Sequence, residues 1–264
     1  MKNPCLFPIQ LKDGRFVPCG RCHRCRRKYA NQWITRLTHE ANNYLNNVHI
    51  TLTYNDKHYH NSEEQAVRDM QLYIKRVRRA YEYKEGRQRK IRYYLVIERG
   101  PTTGRLHSHC ILFNTNTYDV RKYLASCWQA GFIYCKSLKT RQMTAYVTNY
   151  VGTKQCVKKL MSAGIGKNYL NAETVQYHRA GDIHYVVLPH TSGVKRALPR
   201  YYRDKIWTHE ERIRQRIEQL WTDKPAEMHY LYMKIRELAL QSRQKVNNDE
   251  KRAFFARKQL NYTL

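Results

Sequence analysis

The amino-acid sequence predicts an α+β fold in which helices flank a mainly antiparallel sheet. Segments with the alternating, β-branched pattern of strands recur between residues 48 and 138. Segments with helical spacing of apolar residues separate them, and two of the strands are close enough in sequence to form a hairpin. Strands and helices in this order pack as a sheet covered by helices. The 264 residues are enough for one good hydrophobic core.

Local patterns predict each element in order. Apolar residues at helical spacing from Tyr29 to Leu45 indicate a first amphipathic helix. Ser62-Glu-Glu-Gln65 is a capping box that opens a second helix, which continues to Tyr81. Further helices are expected at residues 119–129 and 140–155. Four strands are expected, at residues 48–54, 91–98, 106–113 and 132–138, and the second and third of them form the hairpin.

The signals weaken after residue 160. A Gly-rich turn, a short strand at residues 183–188 and a basic stretch at residues 195–203 precede two helical stretches with charges of both signs. We therefore expect three parts. Residues 1–45 form a cysteine-containing segment and the first helix, residues 46–160 form the core, and residues 161–264 form a basic peripheral extension that is helical toward the C-terminus.

The charge indicates a nucleic-acid partner. Lys and Arg outnumber Asp and Glu by 49 to 21, a formal net charge of +28, and the chain has 22 tyrosines. Basic side chains displace counterions from phosphates, and tyrosines offer stacking surface to unpaired bases. Ribosomal and packaging proteins share such charge without needing a catalytic site. Candidate DNA-binding residues are Lys75, Arg76, Arg78, Arg79 and Arg105.

The cysteines are expected to be reduced. No apolar run approaches the length of a membrane span, and the first residues lack the apolar core of a signal peptide, so we expect a cytosolic chain. Two C-x-x-C steps at Cys19, Cys22 and Cys25, together with Cys5, predict a structural zinc site. The same run also suits an iron–sulfur cluster, His23 could replace Cys5, and the thiols could be unligated.

A second candidate metal site lies on the hairpin. His107 and His109 are two apart on a strand and share a face, and antiparallel pairing brings Glu98 close to them. Two imidazoles and a carboxylate leave coordination positions open and suit Mg²⁺, Mn²⁺, Zn²⁺ or Fe²⁺. The alternative is a pair of histidines that merely face solvent. His58 and His60 repeat the spacing, but their neighbours are typical of a loop.

The helix expected at residues 140–155 places Tyr146, Tyr150 and Lys154 along one stripe. A phenol with a pKa of about 10 is a poor nucleophile at neutral pH, but a nearby ammonium and a metal favour its anion. A metal that polarises a phosphate beside such a tyrosine can cut a phosphodiester while one end stays attached. The alternative is that both tyrosines are core residues. Residues 164–167 lack the spacing of a phosphate loop, so no ATPase motor is expected.

Taken together, these motifs resemble the replication initiation proteins of microviruses, especially the gokushovirus branch, within the HUH endonuclease superfamily. The resemblance rests on residues 17–25 and 49–54, on Glu98 with the stretch at 104–113, and on residues 145–154. Residues 198–203 also match the branch. Ser108 and Asn149 depart from the usual motifs, which have a hydrophobic and a basic residue there.

The resemblance implies a Rep-type five-stranded antiparallel sheet with the metal hairpin at its centre. It implies a divalent metal, Mg²⁺ or Mn²⁺, at Glu98, His107 and His109, and catalysis by Tyr146, Tyr150 and Lys154. The implied function is origin nicking through a 5′-phosphotyrosine intermediate, which starts and terminates rolling-circle replication. Single-stranded and origin DNA, a host helicase and a DNA polymerase would be the partners, in the bacterial cytoplasm.

Three other functions fit parts of the sequence. A plasmid replication protein or a transposase of the same superfamily would share all the motifs. A non-catalytic, zinc-containing nucleic-acid-binding protein would use the tyrosines only to stack bases. An Fe(II) oxygenase could use the two histidines and Glu98, but its chemistry has no use for the basic charge or for paired tyrosines.

Overall fold

The computed structural model describes residues 5–12, 14, 16–87, 90–139, 156–181, 183–188, 193–223, 226, 228–235, 237 and 240–241. The chain divides into two compact units, Met1–Ile206 and Trp207–Leu264. The second unit contains the helix His209–Asp223. No helix within the described ranges is long and apolar enough to cross a membrane. The predicted boundaries near residues 45 and 160 stay predictions.

A five-stranded antiparallel sheet forms the centre of the first unit. Its strands are β3 (Asn47–Tyr54), β4 (Arg92–Arg99), β5 (Leu106–Phe113), β6 (Gly131–Ser137) and β7 (Cys156–Met161), which follow the short pair β1 (Ile9–Gln10) and β2 (Phe16–Val17). The spatial order is β6-β3-β5-β4-β7, so the β4–β5 hairpin supplies the central strand and one of its neighbours. The predicted α+β class, with an antiparallel sheet flanked by helices, is confirmed.

Helix α2 (Glu63–Glu85) covers one face of this sheet. The Ser62 hydroxyl accepts the Gln65 N–H at 3.2 Å, as the capping box predicts, and Gly86 ends the helix with φ of 64°. Met70, Tyr73 and Val77 are fully buried against the sheet. Each fully buried apolar side chain contributes roughly 1.5–3 kcal/mol, so this layer is the main source of stability.

The other helices differ in part from their predicted bounds. Helix α1 (His23–Ala41) ends four residues before the predicted Leu45, whose side chain is fully exposed. The helix expected at residues 119–129 is a short helix α3 (Thr117–Asp119) followed by a π turn and a 3₁₀ turn. The fifth strand, β7, was expected only through the resemblance, because its sequence CVKKLM lacks alternation.

Beyond β7, the first unit contains helix α4 (Ala172–Ala180), the strand pair β8 (Tyr185–Val187) and β9 (Lys195–Ala197), and helix α5 (Arg200–Ile206). The predicted strand at residues 183–188 is therefore present in a shorter form. In the second unit, the helix His209–Asp223 is named α6.

A buried ion pair fixes this later segment to the rest of the first unit. Glu40 of α1 is fully buried, and its carboxylate binds the Arg92 guanidinium of β4 through two contacts, one of them at 3.1 Å. Arg92 also donates to the carbonyl oxygens of Ala163 and Gly164 at 3.1 and 3.0 Å. Glu40 in turn accepts the Gly166 N–H at 2.7 Å. The pair therefore joins α1, β4 and the turn after β7.

Gly166 allows the turn to approach α1 this closely. It has φ of 75°, which favours glycine, and a Cβ there would lie 2.6 Å from the Arg36 carbonyl oxygen. The Tyr202 hydroxyl of α5 donates to the Gly166 carbonyl at 2.9 Å. The Gly-rich turn predicted from sequence is thus a packing point between two helices of the unit.

Replacing Glu40 with Gln should destabilise the protein strongly, because Arg92 would keep a buried charge without its counter-charge. We expect a loss of about 3–5 kcal/mol in the free energy of unfolding. Thermal and urea unfolding measure it. Asp204→Asn, in the exposed Arg200–Asp204 pair, is the matched control and should change stability by less than about 1 kcal/mol. Equal melting temperatures for Glu40→Gln and wild type would contradict this.

Candidate metal centre

The register of the central strands brings three candidate ligands together. Glu98 of β4 is paired directly with His107 of β5, and His109 follows two residues later on the same face. One ligand atom from each side chain lies within 4.8 Å of the others. Glu98 and His109 are buried, whereas His107 is half-buried, so the cluster has a closed side and a more open side.

Neighbouring oxygen atoms orient both imidazoles. The His109 Nδ1 lies 3.2 Å from the Thr51 hydroxyl, and its Nε2 lies 4.0 Å from a Glu98 carboxylate oxygen. The His107 Nδ1 lies 3.3 Å from the carbonyl oxygen of Arg105. An imidazole whose Nδ1–H is held by an oxygen presents Nε2 as its lone-pair nitrogen. The arrangement therefore presents one nitrogen of each ring as a ligand.

Burial keeps His109 neutral. It lowers the pKa of His109 to about 3, with further lowering by the charges of His107, His49 and Lys136. The ring of His49 stacks on that of His109 at a centroid distance of 5.4 Å, and burial lowers the His49 pKa to about 4. A neutral imidazole is the form that binds metal ions. Two nitrogen donors and one carboxylate with open positions fit a divalent cation.

The competing histidine pair has a different setting. His58 ends the 3₁₀ turn Asp56–His58, where its Nδ1 lies 2.8 Å from the Asn55 side-chain oxygen. The His60 Nε2 lies 3.0 Å from a carboxylate oxygen of Asp69. Within the described ranges, neither histidine belongs to a group of three ligands within metal-binding distance. The hairpin cluster is therefore the stronger candidate.

The predicted nucleophiles Tyr146 and Tyr150, and the predicted Lys154, lie outside the described residues. The described chain resumes at Cys156, which is paired with Glu98 where the β4–β7 register shifts. The chain therefore re-enters the sheet beside one of the candidate metal ligands.

The candidate DNA-binding residues fall into two groups. Four lie on α2: Lys75, Arg76, Arg78 and Arg79. Because α2 packs on the sheet face opposite Glu98, the structure does not bring them to the metal cluster. Arg105 lies in the hairpin loop next to His107 and binds Asp56 at 2.7 Å. Their contact with DNA stays a prediction.

Sequence reasoning missed the contribution of β3 and β6 to this face. Thr51 and His49 alternate with the buried Val48, Ile50 and Leu52, so the polar half of β3 faces the metal cluster. The signal was present in the alternation of residues 48–54, since a strand with one polar face next to two histidines points its polar side chains at them.

The four N-terminal cysteines form a separate group. Their sulfur atoms lie within 4.8 Å of one another, and all four are free thiols. The backbone N–H of Cys19 donates to the Cys5 sulfur at 3.2 Å, and that of Cys22 donates to the Cys19 sulfur at 3.4 Å. Backbone donors from Leu6 and Cys25 lower the pKa of Cys22 to about 6, whereas burial raises that of Cys25 to about 12. The geometry is compatible with a bound metal ion, which would keep all four as thiolates.

Comparison with known proteins follows the same region of the chain. The sequence model of a family described as Replication-associated protein ORF2 matches residues 47–156, which hold β3 to β6 and the candidate metal ligands. The chain is 29% identical over 216 residues to the Replication-associated protein VP4 of Bdellovibrio phage phiMH2K. It is 27% identical over 230 residues to the Replication-associated protein ORF4 of Chlamydia phage 1. The chain resembles phage replication-associated proteins.

The predicted resemblance is thereby confirmed. The first match covers 71% of this chain and 66% of the phiMH2K protein, and the second covers 74% of this chain and 55% of the Chlamydia phage protein. The chain thus spans less than two thirds of the length of either phage protein. No solved structure matches the chain significantly.

Proposed function

We propose that this chain is a replication initiator of the HUH endonuclease type, which nicks single-stranded origin DNA to start and terminate viral rolling-circle replication. The observation that carries the proposal is the cluster of Glu98, His107 and His109, whose ligand atoms lie within 4.8 Å. The cluster lies inside the region that matches the replication family. The net charge of +28 supports a DNA substrate.

Glu98, His107 and His109 would hold a divalent metal, Mg²⁺ or Mn²⁺. When bound, such an ion supplies charge stabilisation to a phosphate oxygen. The protein's own contribution is orientation. Thr51 and the Arg105 carbonyl hold the two imidazoles, and the central position of β5 keeps the ligands on a rigid element.

The attacking group would be a tyrosine of the segment 140–155. The phenol oxygen of Tyr150 or Tyr146 would form a bond to phosphorus as the bond to the 3′ oxygen breaks, and that oxygen leaves as a hydroxyl after taking a proton. One phosphoester replaces another, so the end can be rejoined without ATP. The released 3′-hydroxyl would serve a host polymerase. Lys154 would favour the phenolate of Tyr150, which lies one helical turn before it in the predicted helix.

Covalent geometry supports this position for Lys154. It precedes Cys156 by two residues, so their Cα atoms are at most about 8 Å apart. Because Cys156 is paired with Glu98, the ammonium has a short reach to the metal cluster.

Removal of a metal ligand should abolish nicking but not DNA binding. His107→Ala and His109→Ala should each lower cleavage of a single-stranded origin by at least roughly 100-fold, since several kcal/mol of transition-state stabilisation is lost. DNA affinity should stay nearly unchanged, because Lys and Arg residues supply it. Gel assays of nicking and binding with Mn²⁺ or EDTA measure both. His58→Ala and His60→Ala are matched controls that should cleave normally. Full activity of the double hairpin variant in EDTA would overturn the assignment.

Two tyrosines allow a division of labour, in which one holds the 5′-phosphate while the other attacks the regenerated origin. Tyr146→Phe and Tyr150→Phe should each retain some single cleavage but fail in the terminating strand transfer. The double variant should form no covalent DNA adduct, and mass spectrometry of the DNA-linked peptide should identify Tyr150 as the first nucleophile.

The chain offers a matched control for this test. Tyr118 is exposed and has Lys122 four residues later, with the ammonium 2.9 Å from the phenol oxygen, but it lies on α3. Tyr118→Phe should leave the adduct intact. An adduct that persists in the Tyr146/Tyr150 double variant, or that maps to another residue, would remove the tyrosine mechanism. A wild-type protein that binds DNA without any adduct would indicate a non-catalytic DNA-binding protein.

We also propose that Cys5, Cys19, Cys22 and Cys25 bind one structural zinc ion at the start of α1. Elemental analysis should find about one zinc per chain, as a four-ligand site requires. Cys19→Ser and Cys22→Ser should lose the zinc and lower the melting temperature, whereas Cys135→Ser, a half-buried thiol of β6, should retain it. Iron with acid-labile sulfide, or a zinc-free protein of unchanged melting temperature, would contradict the proposal.

A further inference from the structure

The edge strand β6 presents two large aromatic side chains on the face that carries the metal cluster. Phe132 is paired with Thr53 and Tyr134 with Thr51. The same two threonines are paired on their other side with His107 and His109. Directly paired residues lie on one face of a sheet, so the aromatic rings and the histidines share a face. Phe132 is 69% exposed and Tyr134 is 63% exposed.

The distance from these rings to the candidate metal ligands suits neighbouring nucleotides of one bound strand. Two strand spacings separate β6 from β5, which places their backbones about 10 Å apart. The register is fixed on the opposite face, where Ile133 and Cys135 pack against the core. Gly131, which begins the strand, has no room for a side chain, since a Cβ there would collide with the Thr53 carbonyl oxygen. A shift of one residue is therefore excluded, and the rings keep their orientation.

A cation accompanies the two rings. Lys136 is exposed and follows Tyr134 by two residues, so it lies on the same face of β6. Its charge contributes to the lowered pKa values of His49 and His109, which places its field at the metal face. Aromatic rings beside a basic side chain are the usual components of a site for single-stranded nucleic acid, in which bases stack and the cation binds phosphate.

Exposed aromatic residues on an edge strand also occur at contacts with proteins. Here the neighbouring side chains across the sheet are Thr51 and Thr53, which are too small to cover the rings, and the chain has a net charge of +28. A polyanion is therefore the occupant that the charge favours. Single-stranded DNA is the polyanion whose bases have free faces, because a duplex hides them within its stack.

We propose that Phe132 and Tyr134 form a stacking platform for unpaired bases of the DNA strand that crosses the metal face. Lys136 would bind the backbone of the same strand. The position of the platform next to the cleaved phosphate rests on the proposed nuclease function, whereas the binding of single-stranded DNA does not. The platform would hold the strand on one side of the scissile phosphate and tolerate different bases, because every base has a π face.

The test compares the affinities of variants for single-stranded and duplex DNA of equal length. Phe132→Ala and Tyr134→Ala should each weaken single-strand binding by roughly 5- to 150-fold, the range found for the loss of one stacked base. Duplex binding and the salt dependence of affinity should not change, since no phosphate contact is removed. Phe132→Trp should restore binding, because a larger π surface is kept.

Tyr83→Ala is the matched control. Tyr83 is 94% exposed on α2, which covers the opposite face of the sheet, and its loss should leave affinity unchanged. Unchanged single-strand affinity in both β6 variants would overturn the platform, as would an equal loss for duplex DNA. If size-exclusion chromatography shows that wild type self-associates and that the variants do not, the strip is a contact between copies and the proposal is wrong.

The failure of this proposal can be told apart from the failure of the nuclease. If wild type forms no covalent adduct but the β6 variants lose single-strand affinity, the platform stands and the nuclease function does not. If wild type nicks DNA and the β6 variants bind and nick normally, the platform is wrong and the nuclease function stands.

Discussion

The antiparallel register between β4 and β5 is the constraint on which the site depends. It sets Glu98 opposite His107 and leaves His109 on the same face. Side chains on a strand alternate between faces, so a slip of one residue would send both histidines to the α2 side. The opposite residues prevent that slip. Leu106, Cys110 and Leu112 of β5 are fully or almost fully buried in the core, and exposing them would cost several kcal/mol. The apolar face thus fixes the geometry of the polar face.

The buried Glu40–Arg92 pair adds a second constraint on β4. It lies at the start of the strand, whereas Glu98 lies near its end, so the ends of β4 have different tasks. One end binds α1 and the turn at residues 163–166, and the other end carries a candidate metal ligand. A strand that is held at one end by a desolvated ion pair and along its length by two neighbours is rigid. Rigid elements hold ligands more accurately than loops do.

The sequence predicted the central features of the fold because they rest on local patterns. Alternation gave the bounds of β3 and β5 nearly to the residue, and the capping box gave the start of α2. The spacing of Glu98, His107 and His109 around a short loop was enough to place them together. What the sequence did not predict depends on distant contacts. The pattern of β7 has no alternation, because its place at a sheet edge leaves most of its side chains half-buried. The partnership of Glu40 with Arg92 joins residues that are 52 positions apart, for which no local signal exists.

The sheet also separates chemistry from recognition in space. The candidate metal ligands lie on its two inner strands β4 and β5, where burial keeps His109 neutral and the register is held from both sides. The exposed rings of β6 lie at the edge, where a long substrate can enter without a closed pocket. A linear polymer needs this arrangement, because only one of its phosphates has to reach a rigid centre while its other nucleotides must remain free to slide. Ser108 fits the same logic: it is buried on the core side of β5 between two reactive-face histidines, so its departure from the usual hydrophobic residue changes the packing beneath the site and leaves the ligand set unchanged.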